Sequence, residues 1–474
     1  MTVKNSPKYD VMNLVKLRED FFMIRTVRQN RHASAPAKSP TRLFRRAVLN
    51  EKAGSPAAET ARQSDLQPLS REDARNVVAM SDLSFSDALD TLKEHLVGYD
   101  ECIEQFKLAL LTSQHMLLVG KPGRGKSYPA RLFVGAVQNA RVFRTQITAY
   151  TMPDHLVGAP IPHTYLEEGK QVYNTDNGIL NCDLALLEEF SDGPVALARS
   201  LNTVLYERVF EVKDQPPFPA QIHSAILTAN QAPHGEEWKA VWSRIAFRYT
   251  PQEVNTSWGR FQTAQVYLHT HGHAPVLPLV DIEQVRELSL QREMMHVPAG
   301  VLLVESWVSG EFHRRCQEDT HLGRSGLFSS DLRRENLFLD VIRAGATLEG
   351  RTQADYSHVR RYLPYALPLG DDPDGIAAHR ILDDVLECVL PKKIGRDELA
   401  VYDALGDLAQ QLLEYQRHGK HRPTEFRLRL PGMPLIFAAR RELLGHLGRV
   451  RGVAGAEHLV EILRGAVARL GDGE

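Results

Sequence analysis

Eight consecutive residues have the types and the spacing needed to hold a phosphate chain. They follow a short apolar run and fit the pattern G-x-x-x-x-G-K-[ST]. In order they are Gly120, Lys121, Pro122, Gly123, Arg124, Gly125, Lys126 and Ser127. The glycines let backbone N–H groups approach phosphate oxygens, and the N-terminus of a following helix favours an anion. We expect Lys126 to reach the β- and γ-phosphates and Ser127 to ligate Mg²⁺, so the sequence predicts a nucleoside triphosphate site.

Two carboxylates end an apolar run at residues 183–189 and are the second chemical signal. A P-loop enzyme needs one acid to hold the Mg²⁺ shell and another to orient or activate the attacking water. We expect Glu188 to take the metal role and Glu189 the role of the base. The alternative, two solvated acids at a strand end, is less favoured because a P-loop lies upstream.

The surrounding pattern predicts the elements that position these residues. Short apolar or β-prone runs alternate with helical patterns up to about residue 253, which favours a parallel sheet between helices. The predicted strands are at 116–120, 141–146, 184–187 and 225–230, and two of the predicted helices are at 130–138 and 194–209.

After Pro251 the pattern predicts helices only, with a linker at 364–374. The last predicted helices are at 397–416, 434–447 and 456–470. The expected domains are a basic, largely disordered leader (1–80), a nucleotide-binding core (81–255), a helical lid (256–365) and a C-terminal helical extension (366–474).

Composition excludes several classes of protein. With 474 residues, 43% of them hydrophobic, 24% charged and a net charge of −2, a wholly disordered chain is ruled out. No apolar run approaches the roughly 20 residues that cross a bilayer. The first twenty residues or so lack the apolar segment of a secretory signal, so we expect a cytoplasmic protein. The four cysteines form no C-x-x-C pair, which argues against a disulfide framework or a zinc ribbon.

Charge is unevenly distributed along the chain. Residues 1–64 carry 13 Lys/Arg against 5 Asp/Glu, and residues 415–451 carry 9 against 2. Such segments meet something acidic in many proteins, and nucleic acid is one such partner. Without a nucleic-acid-binding motif the pattern favours solvated tails, so a nucleic-acid partner is possible but not favoured.

In this context the chain resembles the AAA+ ATPases, and within them the MoxR group that includes RavA-like proteins. The matching segments run in order from Val97 to Arg351 and include 97–100, 148–158, 178–180 and 201–210. Segments 148–158 and 178–180 resemble the family's segment between the second strand and the acidic strand, part of which faces the ring pore. Asn230 matches the sensor-1 residue, and Arg244 matches the arginine finger inserted into a neighbour's site, with Arg248 as a less favoured substitute.

The chain also departs from the family pattern. Glu188 stands where the family usually has Asp, and the extra methylene is expected to misplace Mg²⁺ or to slow turnover. The sensor-2 register is ambiguous, so Arg333 and Arg334 are both candidates to contact the nucleotide. Beyond about Tyr365 the resemblance stops.

The resemblance implies an α/β fold: a P-loop AAA+ αβα core with a parallel sheet, followed by an all-α lid and a helical C-terminal extension. It implies an Mg²⁺-dependent ATPase that forms a homo-oligomeric ring, expected to be a hexamer, and that remodels or activates a protein partner in the manner of a chaperone. A von Willebrand A domain protein is the implied partner. Two alternatives stay open: a nucleic-acid-stimulated AAA+ motor, and an ATP-gated scaffold with little turnover.

Overall fold

The computed structural model describes residues 84–470, apart from a few short segments inside that range. Those segments are 170–171, 212–215, 232–240, 242–243, 272, 276, 326–327, 329–331, 418–424, 449, 451–452 and 454. The predicted leader, residues 1–80, lies outside the described residues.

The first half of the described chain alternates strands with helices. Its helices are α1 (Phe85–Asp90), α2 (Asp100–Thr112), α3 (Ser127–Gly135), α4 (Pro153–Val157), α5 (Pro162–Glu168) and α6 (Val195–Asn202). Its strands are β1 (Met116–Val119), β2 (Val137–Gln138), β3 (Val142–Gln146), β4 (Leu184–Glu188), β5 (Val209–Phe210), β6 (Phe218–Pro219), β7 (Ser224–Ala229) and β8 (Phe247–Thr250).

The second half is mainly helical and contains four further short strands among the described residues. The helices are α7 (Ser257–Thr270), α8 (Ile282–Glu293), α9 (Ala299–Glu318), α10 (Leu322–Ser325), α11 (Leu332–Leu348), α12 (Tyr356–Tyr362), α13 (Pro373–Val389), α14 (Arg396–Arg417), α15 (Arg440–Leu447) and α16 (Ala456–Arg469). The strands are β9 (Val280–Asp281), β10 (Leu369–Gly370), β11 (Glu425–Leu428) and β12 (Ile436–Ala439). None of the described helices is long and apolar enough to cross a membrane.

The main sheet has six parallel strands in the order β10-β8-β1-β7-β4-β3. Alternate residues of β1 enter different clusters of buried side chains: Met116 and Leu118 face one cluster, and Leu117 and Val119 face the other. Every residue of β4 and β7 is buried too. Both faces of the sheet are therefore covered, which is why these strands read as continuous apolar runs.

These observations confirm the predicted fold class. The four predicted strands appear as β1, β3, β4 and β7, each within one residue of its expected start. The helix predicted at 130–138 differs: α3 begins at Ser127 and ends at Gly135, and residues 137–138 form β2, which pairs with β9. Pairing with a strand more than a hundred residues away overrides a helical pattern that is only local.

The prediction that residues 364–374 form a linker is wrong. Leu369 and Gly370 form β10, which adds an edge to the main sheet beside Tyr249 and Thr250 of β8. Gly370 has φ +80°, and a Cβ there would lie 1.8 Å from the carbonyl oxygen of Thr250, so only glycine fits. A strand of two residues has no periodicity to detect.

The prediction of helices only after Pro251 is also wrong at residues 425–439. β11 and β12 pair antiparallel there, and the helix predicted at 434–447 begins only at Arg440. Ile436 and Phe437 are β-branched and aromatic, types that favour a strand.

A buried histidine fixes the start of β1. The Nδ1 atom of His115 accepts a hydrogen bond from the backbone N–H of Ala225 at 3.0 Å, so its Nε2 atom donates to the carbonyl oxygen of Leu205 at 2.6 Å. Burial lowers the pKa of His115 to about 3, and the charge of Arg208 acts in the same direction. The imidazole is therefore neutral at physiological pH.

We expect acid to destabilise the fold through His115. Because its pKa is lower in the folded than in the unfolded chain, the stabilisation is complete above pH 6.5 and is lost as pH falls from 6.5 towards 3. The loss for this residue approaches about 1.4 kcal/mol per pH unit. Urea unfolding at pH 7 and pH 5 should show a smaller decrease in His115→Gln than in the wild type. The exposed His269, replaced by Gln, is the control, and equal decreases in all three proteins would contradict the prediction.

Candidate nucleotide site

Three loops meet at one edge of the main sheet. The P-loop follows β1, Glu189 follows β4 and Asn230 follows β7. β7 lies between β1 and β4 and is parallel to both, so the three carboxyl ends are neighbours. In open parallel sheets, ligands bind at this edge.

The backbone of the P-loop turns through conformations that favour glycine. Gly123 and Gly125 have φ of +82° and +75°. The hydroxyl of Tyr99 donates to the carbonyl oxygens of Arg124 and Gly125 at 3.2 and 3.3 Å. The Tyr99 hydroxyl therefore stabilises the backbone of the P-loop. The sequence did not predict this contact.

Lys126 points back into the loop. Its Nζ donates to the carbonyl oxygens of Gly120 and Lys121, at 2.5 and 3.1 Å, and to Oδ1 of Asn230 at 3.0 Å. Lys126 is 6% exposed, and burial lowers its pKa, while the Glu189 carboxylate opposes this change. The ammonium group is thus fixed at the place where the loop backbone converges.

Glu189 and Asn230 form the other side of the site. The Nδ2 atom of Asn230 donates to Oε2 of Glu189 at 2.5 Å, so Asn230 bridges Lys126 and Glu189. Glu189 has φ +58°, which is uncommon for a residue with a side chain and occurs at functional sites. The Oγ1 atom of Thr228 accepts the backbone N–H of Glu189 at 3.1 Å and supports this conformation.

Glu188 is buried and has two arginine partners. Its Oε1 lies 3.3 Å from Nη2 of Arg131 on α3, and its Oε2 lies 3.1 Å from Nη2 of Arg144 on β3. The hydroxyl of Ser127 and the carboxylate of Glu188 are oxygen donors of the kind that Mg²⁺ prefers, so their chemistry fits that ion. The arginines are two cations that compete with it for Glu188. Sequence reasoning missed both, because nothing distinguishes them from solvated arginines.

A second arginine contact ties the P-loop to the edge of the sheet. Arg124 pairs with Glu253 at 2.5 Å and with Asp371 at 3.4 Å. Asp371 directly follows β10, so a residue of the segment predicted as a linker contacts the P-loop of the candidate site. Asp371 is distant from Arg124 in sequence, so no local sequence pattern could predict this contact.

Arg244 lies far from the P-loop of its own chain. It precedes β8, whose Phe247 is aligned with Met116 at the start of β1, whereas the P-loop follows the other end of that strand. Four residues of strand span about 13 Å. The guanidinium of Arg244 lies 5.8 Å from the ring centre of Tyr206, a half-exposed residue just after α6. The structure therefore does not bring Arg244 together with Lys126 and Glu189.

The two sensor-2 candidates also make contacts away from the P-loop. The guanidinium of Arg333 lies 4.5 Å from the ring centre of Tyr206, beside Arg244. Arg334 donates to the carbonyl oxygen of Ala366 at 3.4 Å and lies 5.8 Å from the ring centre of Phe328. Of the two, Arg333 shares a surface with the predicted arginine finger.

Known proteins resemble parts of this chain. Residues 83–261 match the family model of the MoxR domain found in MoxR–vWA–β-propeller ternary systems. A curated relative, Chaperone MoxR1 of Mycobacterium tuberculosis (strain H37Rv), is 27% identical over 121 residues, which cover 26% of this chain and 31% of that protein. The chain thus matches about a third of the length of this relative.

One solved structure is similar over a longer stretch. It is a candidate ATPase from Cytophaga hutchinsonii, and the match covers 68% of this chain and 98% of that one, at 15% identity and a TM-score of 0.49.

Proposed function

We propose that this chain binds and hydrolyses ATP as one subunit of a ring, because residues 83–261 match the family model of the MoxR domain and the curated relative is a MoxR chaperone. The observation that carries the proposal is the continuous contact from Lys126 through Asn230 to Glu189, at the edge where the P-loop lies. A cation, a polar bridge and a carboxylate in this order are the groups that phosphoryl transfer to water requires.

In the proposed reaction these residues bind, orient and move a proton. The backbone of the P-loop and Lys126 hold the β- and γ-phosphates. Glu189 accepts a proton from the attacking water, and Asn230 fixes both Glu189 and that water. Ser127 and Glu188 would hold Mg²⁺, which neutralises charge on the phosphate oxygens.

The position of Arg244 supports a head-to-tail ring. Since it lies at the edge of the sheet opposite its own P-loop, it can stabilise the transferred phosphoryl group only in a neighbouring subunit. A contact in which one face meets a different face of the next copy closes into a ring when the rotation allows it. We propose a hexamer, with Arg244 and Arg333 both on the face that meets the neighbour's site.

We further propose that the ring remodels a protein partner. Segment 148–158, which resembles a family segment that faces the ring pore in part, carries two strongly exposed apolar side chains, Tyr150 at 86% and Met152 at 58%. We propose that these side chains face the pore. Side chains of this kind can grip an unfolded segment by apolar contact. The MoxR–vWA–β-propeller systems to which the family model refers support a von Willebrand A domain protein as the partner.

A second candidate function is an ATP-gated scaffold with little turnover. The two arginines that hold Glu188 favour it, because they must be outcompeted before Glu188 can serve a metal ion. Two results together would favour the scaffold over the ATP-hydrolysing motor. The wild type would assemble in the presence of ATP, and its rate of ATP hydrolysis would be no higher than that of Glu189→Gln.

The first test is ATP binding by Lys126→Ala. Removing the ammonium group loses a charge-assisted hydrogen bond to phosphate, so we expect affinity for ATP to fall by about 10- to 100-fold. Equilibrium binding of a fluorescent ATP analogue measures this, and steady-state phosphate release should fall in parallel. The exposed Lys393, replaced by Ala, is the matched control. Equal affinity in the wild type and Lys126→Ala would refute the nucleotide site.

A further inference from the structure

The hairpin of β11 and β12 lies outside the nucleotide site and has one covered edge. The side chain of Gln411 on α14 donates to the carbonyl oxygen of Arg427 and accepts its backbone N–H, both at 2.8 Å. These two bonds occupy the outer edge of β11. Because Gln411 takes both backbone groups of Arg427, these groups point away from β12.

The outer edge of β12 has no such cover among the described residues. Arg427 lies directly opposite Phe437 in the register. In an antiparallel ladder, two residues directly opposite each other either both direct their N–H and C=O groups towards the partner strand or both direct them away from it. Those of Phe437 therefore point outward, away from β11. Within the part of the chain that the structure describes, β12 pairs with β11 alone. A short row of unpaired backbone groups is thus available for another strand.

The side chains at this edge are apolar and exposed. Leu435 and Phe437 are 48% and 56% exposed, and Met433 in the turn is exposed as well. On the opposite face of the hairpin Phe426, Leu428 and Ala438 are buried and Ile436 is partly buried, so the edge lies on a packed support. Exposed alternate positions on a supported strand are suited to contact the side chains of an added strand.

The surroundings of the edge are basic. Residues 425–442 contain four arginines and two acidic residues, Glu425 and Glu442, so the hairpin has a net positive charge. Arg427 and Arg429 on β11 and after it are exposed and make no ion pair with a described residue. Arg427 lies directly opposite Phe437 in the register, so a positive charge is next to the apolar position. This hairpin lies in the basic segment 415–451, to which the ATPase reaction assigns no role.

We propose that the outer edge of β12 binds an extended, acidic and apolar peptide segment of a partner protein as an added strand. Backbone hydrogen bonds to Phe437 would supply a register, apolar side chains of the peptide would cover Leu435 and Phe437, and its carboxylates would meet Arg427 and Arg429. No residue of the nucleotide site takes part, so this proposal goes beyond ATP hydrolysis and does not depend on it.

A peptide fits this edge better than a nucleic acid. The unpaired N–H and C=O groups of a strand edge are matched in spacing by another strand, whereas a phosphate backbone offers acceptors only. The exposed Leu435 and Phe437 are separated by one residue, the spacing of side chains on one face of a strand.

Peptide binding to the full chain tests the proposal. The probe is a labelled peptide of about ten residues in which Glu alternates with Val, and fluorescence anisotropy measures its affinity. One comparison peptide has Lys in place of Glu, and another has a central Pro that removes a backbone donor. We expect both to bind about tenfold more weakly or worse. Amide hydrogen exchange at residues 435–439 should slow when the Glu-Val peptide is bound.

Variants of the hairpin distinguish binding at the edge of β12 from non-specific electrostatic binding. Phe437→Asp and the double change Arg427→Glu with Arg429→Glu should each weaken peptide binding by about tenfold, while ATP turnover and the thermal unfolding temperature stay as in the wild type. Ile376→Asp, which alters an exposed apolar residue on α13, is the matched control. Equal binding of the Glu-Val peptide and its Pro version would overturn the proposal. So would a DNA oligonucleotide that displaces the peptide and outbinds it, since the face would then bind nucleic acid.

Discussion

Replacing Arg244 by alanine is expected to lower ATP turnover by about 10³-fold and to leave ATP affinity unchanged. Arg244 lies at the edge of the sheet opposite the P-loop of its own chain, so its removal should not disturb the candidate ATP-binding residues there. In the proposed ring it supplies the positive charge that stabilises the transferred phosphoryl group in the adjacent subunit. Phosphate release and equilibrium ATP binding measure the two quantities separately.

Mixing two inactive variants gives the sharper result. Arg244→Ala retains its P-loop, and Lys126→Ala retains its arginine, so a ring that contains both has some sites with Lys126 and Arg244 intact. Random mixing in equal amounts makes such sites about a quarter of the total, and turnover should recover to about that fraction of the wild-type rate. Arg244→Ala mixed with the double variant Lys126→Ala/Arg244→Ala is the control and should show no recovery. Mixed rings without recovery would exclude Arg244 as the trans-acting arginine.

Glu189→Gln is expected to lower turnover by about 10²- to 10⁴-fold with ATP still bound. Gln has almost the same shape, and its amide oxygen can still accept the hydrogen bond from Asn230, so the site should keep its geometry. The variant loses a group that can take the proton from water. ATP should therefore accumulate on the protein, and any ATP-dependent ring should become longer-lived.

Single-turnover hydrolysis distinguishes this loss from slow product release. Glu414→Gln, at an exposed position on α14, is the matched control and should hydrolyse ATP at the wild-type rate. If the wild type hydrolyses ATP well above the background rate, turnover of Glu189→Gln within threefold or so of the wild type would mean that Glu189 is not the base.

The sequence predicted the centre of the site because its signals are local. The P-loop and the pair Glu188–Glu189 each follow a buried strand, and parallel strands bring their carboxyl ends to one edge. Asn230 was identified through the resemblance to the family's sensor-1 residue, and the structure places it at the same edge. This rule could not locate the carboxylates that pair with Arg124 or the arginines that pair with Glu188. Each of these contacts joins segments that are distant in sequence, and the residues have no pattern that distinguishes them from solvated charged residues.

In the C-terminal third, the periodicity of apolar residues predicts the long helices but not the short strands. Long helices such as α14 and α16 were predicted within a few residues, since their apolar positions repeat over several turns. β10 has two residues, and its identity depends on Tyr249 and Thr250 beside it. The hairpin was read as the start of a helix because Arg440–Leu447, which is helical, comes directly after it.

The core that carries the candidate nucleotide site depends on the edge strand β10 and on the residues that flank it. Asp371 pairs with Arg124, Asp372 pairs with Arg248, and the buried amide of Gln105 donates to the carbonyl oxygens of Tyr365 and Leu367. A fragment that ends where the family resemblance ends would expose a side of the sheet and remove one of the two carboxylates that pair with Arg124. The C-terminal part is therefore not an independent appendage, because it contributes an edge strand and two carboxylates to the core that carries the candidate site.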